Sequence, residues 1–243
     1  MKIYSLITAR SGSKGLKNKN IFPINNIPLI LYSIYASLNS EYITKTFVST
    51  DSKKYADLCE KNGAIIPFIR PKEISLDDSS DFCVFKHFVE KMNELNDCPE
   101  LIIHLRPTSP DRPKGLIDKS IKQFLEAEED YDSARSITEI DNRILKSCFL
   151  EDKNILKPLW IPNKSSFLDI WQWQRQDLPK IFKTDGRVDI IKTKNISNNN
   201  LHGTKSFGFN TKLPLIDIDT ISDINGISEK LRDNLRDYKI MSL

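Results

Sequence analysis

The sequence predicts an α/β protein: a mostly parallel three-layer sheet covered by helices on both faces. Three observations predict it. Short apolar runs alternate with helical patterns through the first half of the chain. The helical segments are long enough to serve as crossovers between parallel strands. Polar loops follow the strands, at the ends where open α/β sheets bind ligands.

Residues 3–9 read as a buried strand. Residues 28–39 read as a helix with Pro28 in its first turn, where a missing N–H costs nothing. Residues 46–49 form a short strand ending in Thr50-Asp51. Residues 53–62 are a helix closed by Gly63, which can take the left-handed stop. Residues 64–69 read as a third strand. Residues 79–95 are a helix, because Phe82, Phe85, Phe88, Val89, Met92 and Leu95 recur at helical spacing. Residues 101–105 are a fourth strand, and residues 115–127 a helix with Leu116, Ile117, Ile121, Phe124 and Leu125 on one side. The rhythm changes after about Ser136. Residues 146–150 and 155–159 read as a hairpin. Residues 160–182 hold all three tryptophans with little regular pattern, and such a segment covers a pocket or packs on another subunit. Residues 188–192 read as a strand, 195–200 as a polar loop, 215–218 as a last strand and 222–238 as a closing helix capped by Ser222.

The composition sets bounds on function. The chain has 243 residues, enough for one large domain or one domain with an insertion. Its 36 basic and 33 acidic residues are too balanced to signal nucleic-acid binding by charge. Cys59, Cys83, Cys98 and Cys148 show no C-x-x-C spacing and read as free thiols in a reducing compartment. No run approaches the ~18 apolar residues of a membrane span, and the start is too short for a secretion signal. A cytoplasmic protein is expected.

The richest motif follows the first strand. Ala9, Arg10, Ser11, Gly12, Ser13, Lys14 and Gly15 lead to Lys17, Lys19 and Asn20. Small residues let backbone N–H groups approach a ligand, and the cations suit phosphate. The spacing is neither that of a P-loop nor that of a dinucleotide fold. By composition alone, a basic surface loop also fits. A second motif is Leu215-Ile216-Asp217-Ile218-Asp219-Thr220. On a strand Asp217 and Asp219 share a face, where a cation between them relieves their repulsion. With oxygen ligands and a phosphate substrate that cation is Mg²⁺; the alternative is a solvated strand end before a helix cap. A third is Arg106-Pro107-Thr108-Ser109-Pro110, a stiff polar loop suited to an acceptor, or a plain turn into the next helix. In a fourth, Arg70 either binds a ligand or pairs with Asp77, Asp78 or Asp81. His87 and His104 read as core or surface histidines.

Taken together these motifs, with Val48-Ser49-Thr50-Asp51 and Arg175-Gln176-Asp177-Leu178-Pro179, resemble the acylneuraminate cytidylyltransferase family, over nearly the whole chain and in order. The resemblance implies a mononucleotide-binding, Rossmann-like sheet of the nucleotidyltransferase type. It also implies an insertion at residues 142–183 that crosses to the partner of a homodimer, leaving 1–141 and 184–243 as the nucleotide-binding domain. The implied reaction joins CTP to a 3-deoxy-2-ulosonic acid, with Mg²⁺ and no nucleic-acid or membrane partner. Arg10 and Lys19 would hold the triphosphate, helped by residues 9 and 11–15. Asn20, Arg70 and Asp81 would lie near the cytidine, and Asp217 and Asp219 would hold the metal and assist deprotonation. Arg106, Thr108, Ser109, Gln176 and Asp189 would line the sugar site, with Lys146 and Arg175 facing its carboxylate from the partner subunit.

Departures from the family pattern bear on the acceptor. Arg106 stands where a glutamine is usual, an added cation that favours another anionic group or a shifted carboxylate. Asp81 replaces a small hydroxyl residue, and Asp185-Gly186-Arg187-Val188-Asp189 replaces the commoner Asn-Gly and a later tyrosine. These changes leave the CTP half intact and open the acceptor to legionaminic, pseudaminic or other ulosonic acids. The alternatives are a cytidylyltransferase for 3-deoxy-manno-octulosonate or another acceptor, and a nucleotide-sugar-binding protein without chemistry.

Overall fold

The computed structural model describes residues 1–13, 15–127, 129–161, 170–224 and 227–238. In chain order the regular elements are β1 (Ile3–Thr8), β2 (Pro23–Ile24), β3 (Ile27–Pro28), α1 (Leu29–Leu38), β4 (Lys45–Ser49), α2 (Lys53–Lys61), α3 (Asp81–Glu94), β5 (Leu101–His104) and α4 (Leu116–Leu125). There follow β6 (Ser133–Ile140), β7 (Cys148–Glu151), β8 (Ile155–Pro158), β9 (Ile181–Lys192), α5 (Thr193–Ser197), β10 (Ser206–Asn210), α6 (Ile221–Ile224) and α7 (Ser228–Arg236).

The main sheet runs β10-β6-β9-β5-β1-β4. β1 pairs in parallel with β4 and with β5, and β10 pairs in parallel with β6, while β9 is antiparallel to β5. Chain order reverses at β1: the connection runs first to β4 on one side, then back across to β5 on the other. The loops after β1 and β5 therefore flank a crevice at the strands' carboxyl ends.

The continuous apolar run of β1 follows from its position. Ile3 and Ile7 join Leu101, Ile103, Val188 and Ile190 in a core with α1, α4 and α7. Tyr4 and Leu6, pointing the other way, join Phe47, Ile102 and Ile191 against Phe85, Phe88, Val89 and Met92 of α3. Both faces are covered, as the sequence predicts. Serines start two of the helices: Ser52 caps α2 and Ser80 caps α3.

Some local expectations fail. Residues 64–69 make only one bridge, Ile65 to Phe47, because Pro67 has no N–H with which to carry the ladder on. Residues 215–218 form no strand; Ile218 N–H bonds instead to the Thr108 carbonyl. Part of the 195–200 loop is α5. The closing helix is two pieces, α6 and α7. β6 and β10 lack the apolar runs that would have announced them: β6 buries Ser133, Ala134, Ser136 and Thr138 in place of large apolar residues, and β10 is an edge strand.

Two units divide the chain: Met1–Ile137 with Thr184–Leu243, which holds the sheet, and Thr138–Lys183. The second unit carries the β7–β8 hairpin, paired Leu150 to Leu156. In the same unit, Lys146 and Trp171 exchange bonds: Nζ donates to the Trp171 carbonyl at 3.2 Å and Trp171 Nε1 to the Lys146 carbonyl at 2.9 Å. Trp160 and Trp173 meet edge to face at 6.1 Å. Among the described residues no helix is long and apolar enough to cross a membrane.

Candidate active site

A cleft of about 600 Å³ opens where β1 and β5 end. Its walls come from the loop after β1 (Arg10, Ser13, Gly15, Lys19, Asn20), from residues 70–84, from the β5 loop (Arg106, Pro107, Thr108), and from Asp219 and Thr220. Arg10 and Asp219, separated by most of the sequence, therefore share one cavity.

Each wall is fixed by its own bonds. Asn20 is buried and donates from Nδ2 to the Arg10 carbonyl at 2.9 Å, folding the loop after β1 back on itself. Ser11 donates from its backbone N–H and its hydroxyl to the Asp51 carboxylate, both at 2.8 Å, which ties that loop to the end of β4. At Gly15 a Cβ would lie 3.0 Å from the Asp219 carbonyl oxygen, so a side chain there would press the two segments apart. Asp219 and Thr220 N–H groups donate to Asp223 at 3.0 and 2.7 Å, fixing the 217–220 segment.

The cations of the cleft differ in state. Lys19 Nζ lies 2.7 Å from Asp219 Oδ1. Arg10 pairs with Asp77. Arg70 is only 4% exposed, its Nε has no hydrogen-bond partner among the described residues, and burial pulls its pKa below the usual value. A buried guanidinium nitrogen without an acceptor is costly, and a ligand acceptor would offset that cost. The aspartates that follow it go elsewhere: Asp77 to Arg10, Asp81 to Arg106.

Arg106 is not the added cation expected from the sequence. Its Nη1 donates to Asp81 at 2.9 Å and its Nη2 to Asp189 at 3.2 Å. Asp189 is 1% exposed and also accepts from Arg135 Nε at 3.1 Å. With two carboxylates on its guanidinium, Arg106 brings no unbalanced charge for a second anionic group. Its backbone is held from below: the fully buried Arg112 donates from Nη2 to the Arg106 carbonyl at 2.8 Å, and burial draws the Arg112 pKa down to about 9. Arg112 Nε donates to the Arg187 carbonyl, and Arg187 bridges Asp185 at 2.7 Å and Asp111 at 3.0 Å.

The remaining candidates fall in several places. Ala9 is buried in the core and Gly12 is exposed; neither lines the cleft. Ser109 is buried behind the β5 loop, where its N–H bonds to the Arg106 carbonyl. Asp217 is exposed on the far side of the buried Ile218 and is absent from the cleft lining. Lys146, Arg175 and Gln176 belong to the second unit. Lys14 lies outside the described residues, as does the 162–169 part of the tryptophan-rich stretch. Asp51 holds Ser11, a partnership that the sequence reading did not assign and whose one signal was a carboxylate just past a strand; Asp77, offered there to Arg70, pairs with Arg10.

His104 sits at the end of β5, fully buried, with Nε2 3.1 Å from the Thr8 hydroxyl. Burial, then the arginines nearby, hold its pKa well below that of a free imidazole. It is a neutral floor residue.

Residues 4–165 match the family model described as cytidylyltransferase. The chain is 29% identical over 245 residues to the CMP-N,N′-diacetyllegionaminic acid synthase of Legionella pneumophila, covering 96% of this chain and 97% of that one. It is 27% identical to the post-translational flagellin modification protein B of Campylobacter coli, covering 99% and 93%. It is 34% identical over 169 residues to the N-acylneuraminate cytidylyltransferase of Escherichia coli, but spans only 37% of that longer protein and 70% of its own length. Among solved structures, a CMP:2-keto-3-deoxy-manno-octonic acid synthetase complexed with CTP superposes with a TM-score of 0.68 at 14% identity, over 96% of this chain and 99% of the other, which shows a shared fold.

Proposed function

The chain belongs to the cytidylyltransferase family, and on that premise we propose that it joins CTP to a 3-deoxy-2-ulosonic acid of the nonulosonic class, giving a CMP-sugar and pyrophosphate. One observation carries the reading: Arg10, Lys19 and the buried, unsatisfied Arg70 converge with the Asp219 carboxylate on a single cleft. The names of the Legionella and Escherichia relatives support an acidic nine-carbon acceptor.

The reaction forms a bond from the acceptor's anomeric oxygen to the α-phosphorus and breaks the bond from that phosphorus to the β-phosphate. Arg10 and Lys19 offset the charge that grows on the departing pyrophosphate. Arg70 donates to the acceptor edge of the cytosine, ending its own desolvation cost. Asp219 takes the hydroxyl proton, directly or through a water.

Mg²⁺ fits the donors present. Asp219 is exposed at the phosphate end, and its Oδ2 has no partner among the described residues, so it offers one hard oxygen beside those of the phosphates. The metal bound there would neutralise phosphate oxygens. Asp217, outside the cleft lining, would be the second carboxylate to help hold the metal. The balanced Arg106 supports an acceptor whose substituents at this point are neutral.

The same reading makes Thr138–Lys183 a dimerisation element, with Lys146 and Arg175 of each subunit facing the sugar carboxylate bound by the other. Its surface supports this: Phe149, Leu150, Ile155 and Leu156 are all more than half exposed.

Pyrophosphate release with CTP and a panel of N-acetylneuraminate, diacetyllegionaminate, pseudaminate and 3-deoxy-manno-octulosonate tests the assignment. Release with a nonulosonic acid is expected. Release only with the octulosonate would move the chain to that acceptor, and CTP binding without release on any would mark a binding protein.

A further inference from the structure

A protein carboxylate pairs with the cation proposed to hold the nucleotide's phosphates. Asp77 pairs with Arg10 across the opening, and both groups are about one-third exposed. Asp77 sits on a built loop. Residues 72–74 form a 3-10 turn, the Ser75 hydroxyl donates to the Pro71 carbonyl at 2.8 Å, and Leu76 N–H donates to the Ser79 hydroxyl at 3.0 Å. One end is held by Arg70 N–H on the Thr50 carbonyl at 2.8 Å, the other by the Ser80 cap of α3. Ile74, Leu76, Asp77 and Ser79 of this segment line the cleft. The loop thus presents Asp77 to Arg10 as a preformed unit, without first having to order itself.

Lys19 has the corresponding partner in Asp219, but the two pairings differ in consequence. Asp219 keeps a use in the loaded site, as the proposed metal ligand. Asp77 has none there: a phosphate on Arg10 would meet its charge at close range, and like charges at such a distance repel.

We propose that Asp77 is a resident competitor for Arg10, holding the phosphate's place while the cleft is empty and thereby setting how much anionic charge a ligand must bring to be retained. This rests on the reading of the cleft as a CTP site. A ligand that reaches Arg10 must first displace the carboxylate; one that binds only through its base does not. After transfer, when pyrophosphate leaves, Asp77 returns to Arg10 and no counter-ion is needed from solvent.

Calorimetric titration of wild type and Asp77→Asn with CTP, inorganic pyrophosphate and cytidine tests this, with Asp77→Ala as a second variant. An ion pair about one-third exposed corresponds to about a fivefold effect. CTP and pyrophosphate are expected to bind about fivefold tighter to both variants, with cytidine unchanged. Equal or weaker binding of both anions would overturn the proposal, and so would equal tightening of cytidine, which would mean that the loop gates by shape. If pyrophosphate tightens while CTP binds neither protein, the Arg10 competition stands and the CTP reading falls.

Discussion

Lys19 donates to Asp219 across 2.7 Å, joining the loop after the first strand to a segment two hundred positions later. Neither residue lies in a regular strand or α-helix, so the pair is positioned by loop bonds. Asn20 and Asp223 are the groups that supply them. The pair marks the end of the cleft where the phosphates are proposed to bind, and it sets the first expected outcome. Asp219→Asn keeps the shape and removes the charge. It should lower kcat for pyrophosphate release by at least about a hundredfold, the scale of a lost general base or electrostatic contact, while CTP still binds. Asp217→Asn, outside the cleft lining, should lose less. An Asp217→Asn variant as damaged as Asp219→Asn would mean both carboxylates ligate the metal directly.

Arg70 separates binding from stability. Its guanidinium is buried with an Nε unsatisfied among the described residues, a desolvation cost that the proposed ligand would relieve. Arg70→Met fills a similar volume without the charge. The expected result is an unchanged or higher Tm together with at least a tenfold weaker CTP affinity. A fall in Tm with CTP affinity preserved would identify Arg70 as a structural cation.

Beneath the β5 loop, Arg187 is fully buried between Asp185 and Asp111. Removing one partner of such a group leaves buried charge uncompensated, which costs roughly 3–5 kcal/mol. Arg187→Met should therefore lower the urea midpoint sharply. Because the same network holds the Arg106 carbonyl through Arg112, residual folded protein should also show a raised acceptor KM with CTP affinity near wild type.

The pH dependence has a definite sign. His104 is neutral when folded, its pKa held far below the free value of 6.5. Below that free value the unfolded chain takes up a proton and the native state does not. Stability from His104 is thus present above about pH 6.5 and lost as pH falls beneath it, by up to about 1.4 kcal/mol per pH unit. His87 and His202, also shifted down, act in the same direction. Urea unfolding at pH 7.5 and 5.5 should show a smaller loss for His104→Gln than for wild type; equal losses would assign the effect to the other two.

How much of this was legible in the sequence differs by level. The apolar run of β1 and the spacing of Phe85, Phe88, Val89 and Met92 announce their elements because burial on one or both faces dictates residue type. β6 and β10 do not: β6 buries small and polar residues, β10 is an edge strand, and both take their pairing from neighbours that are distant in sequence. The same limit governs the site. Glycines and cations after β1 point to phosphate by their chemistry alone. Which carboxylate each cation holds depends on tertiary approach: Arg70 lies close in sequence to Asp77, Asp78 and Asp81, yet Asp77 goes to Arg10 and Asp81 to Arg106. Arg106 read as surplus charge for want of its partner Asp189, which arrives from β9.

The β7–β8 hairpin carries the last prediction. Leu150 and Leu156 are directly opposed in its register, and with Cys148 and Pro158 they fall on one face, while Glu151 and Lys157 form an ion pair at 3.0 Å on the other. Leu150 is 67% exposed and Leu156 55% exposed, so the pair presents apolar surface to water unless a second copy covers it. Charges placed on that face, even as a cross-strand pair, would lose their water in a dimer but cost little in a monomer. Leu150→Glu with Leu156→Lys should leave Tm within a few degrees of wild type and shift light-scattering mass from dimer to monomer. If Lys146 and Arg175 serve the neighbouring subunit, turnover should fall with the dimer and recover as protein concentration rises. A stable dimer in the double variant would place the interface elsewhere on the molecule.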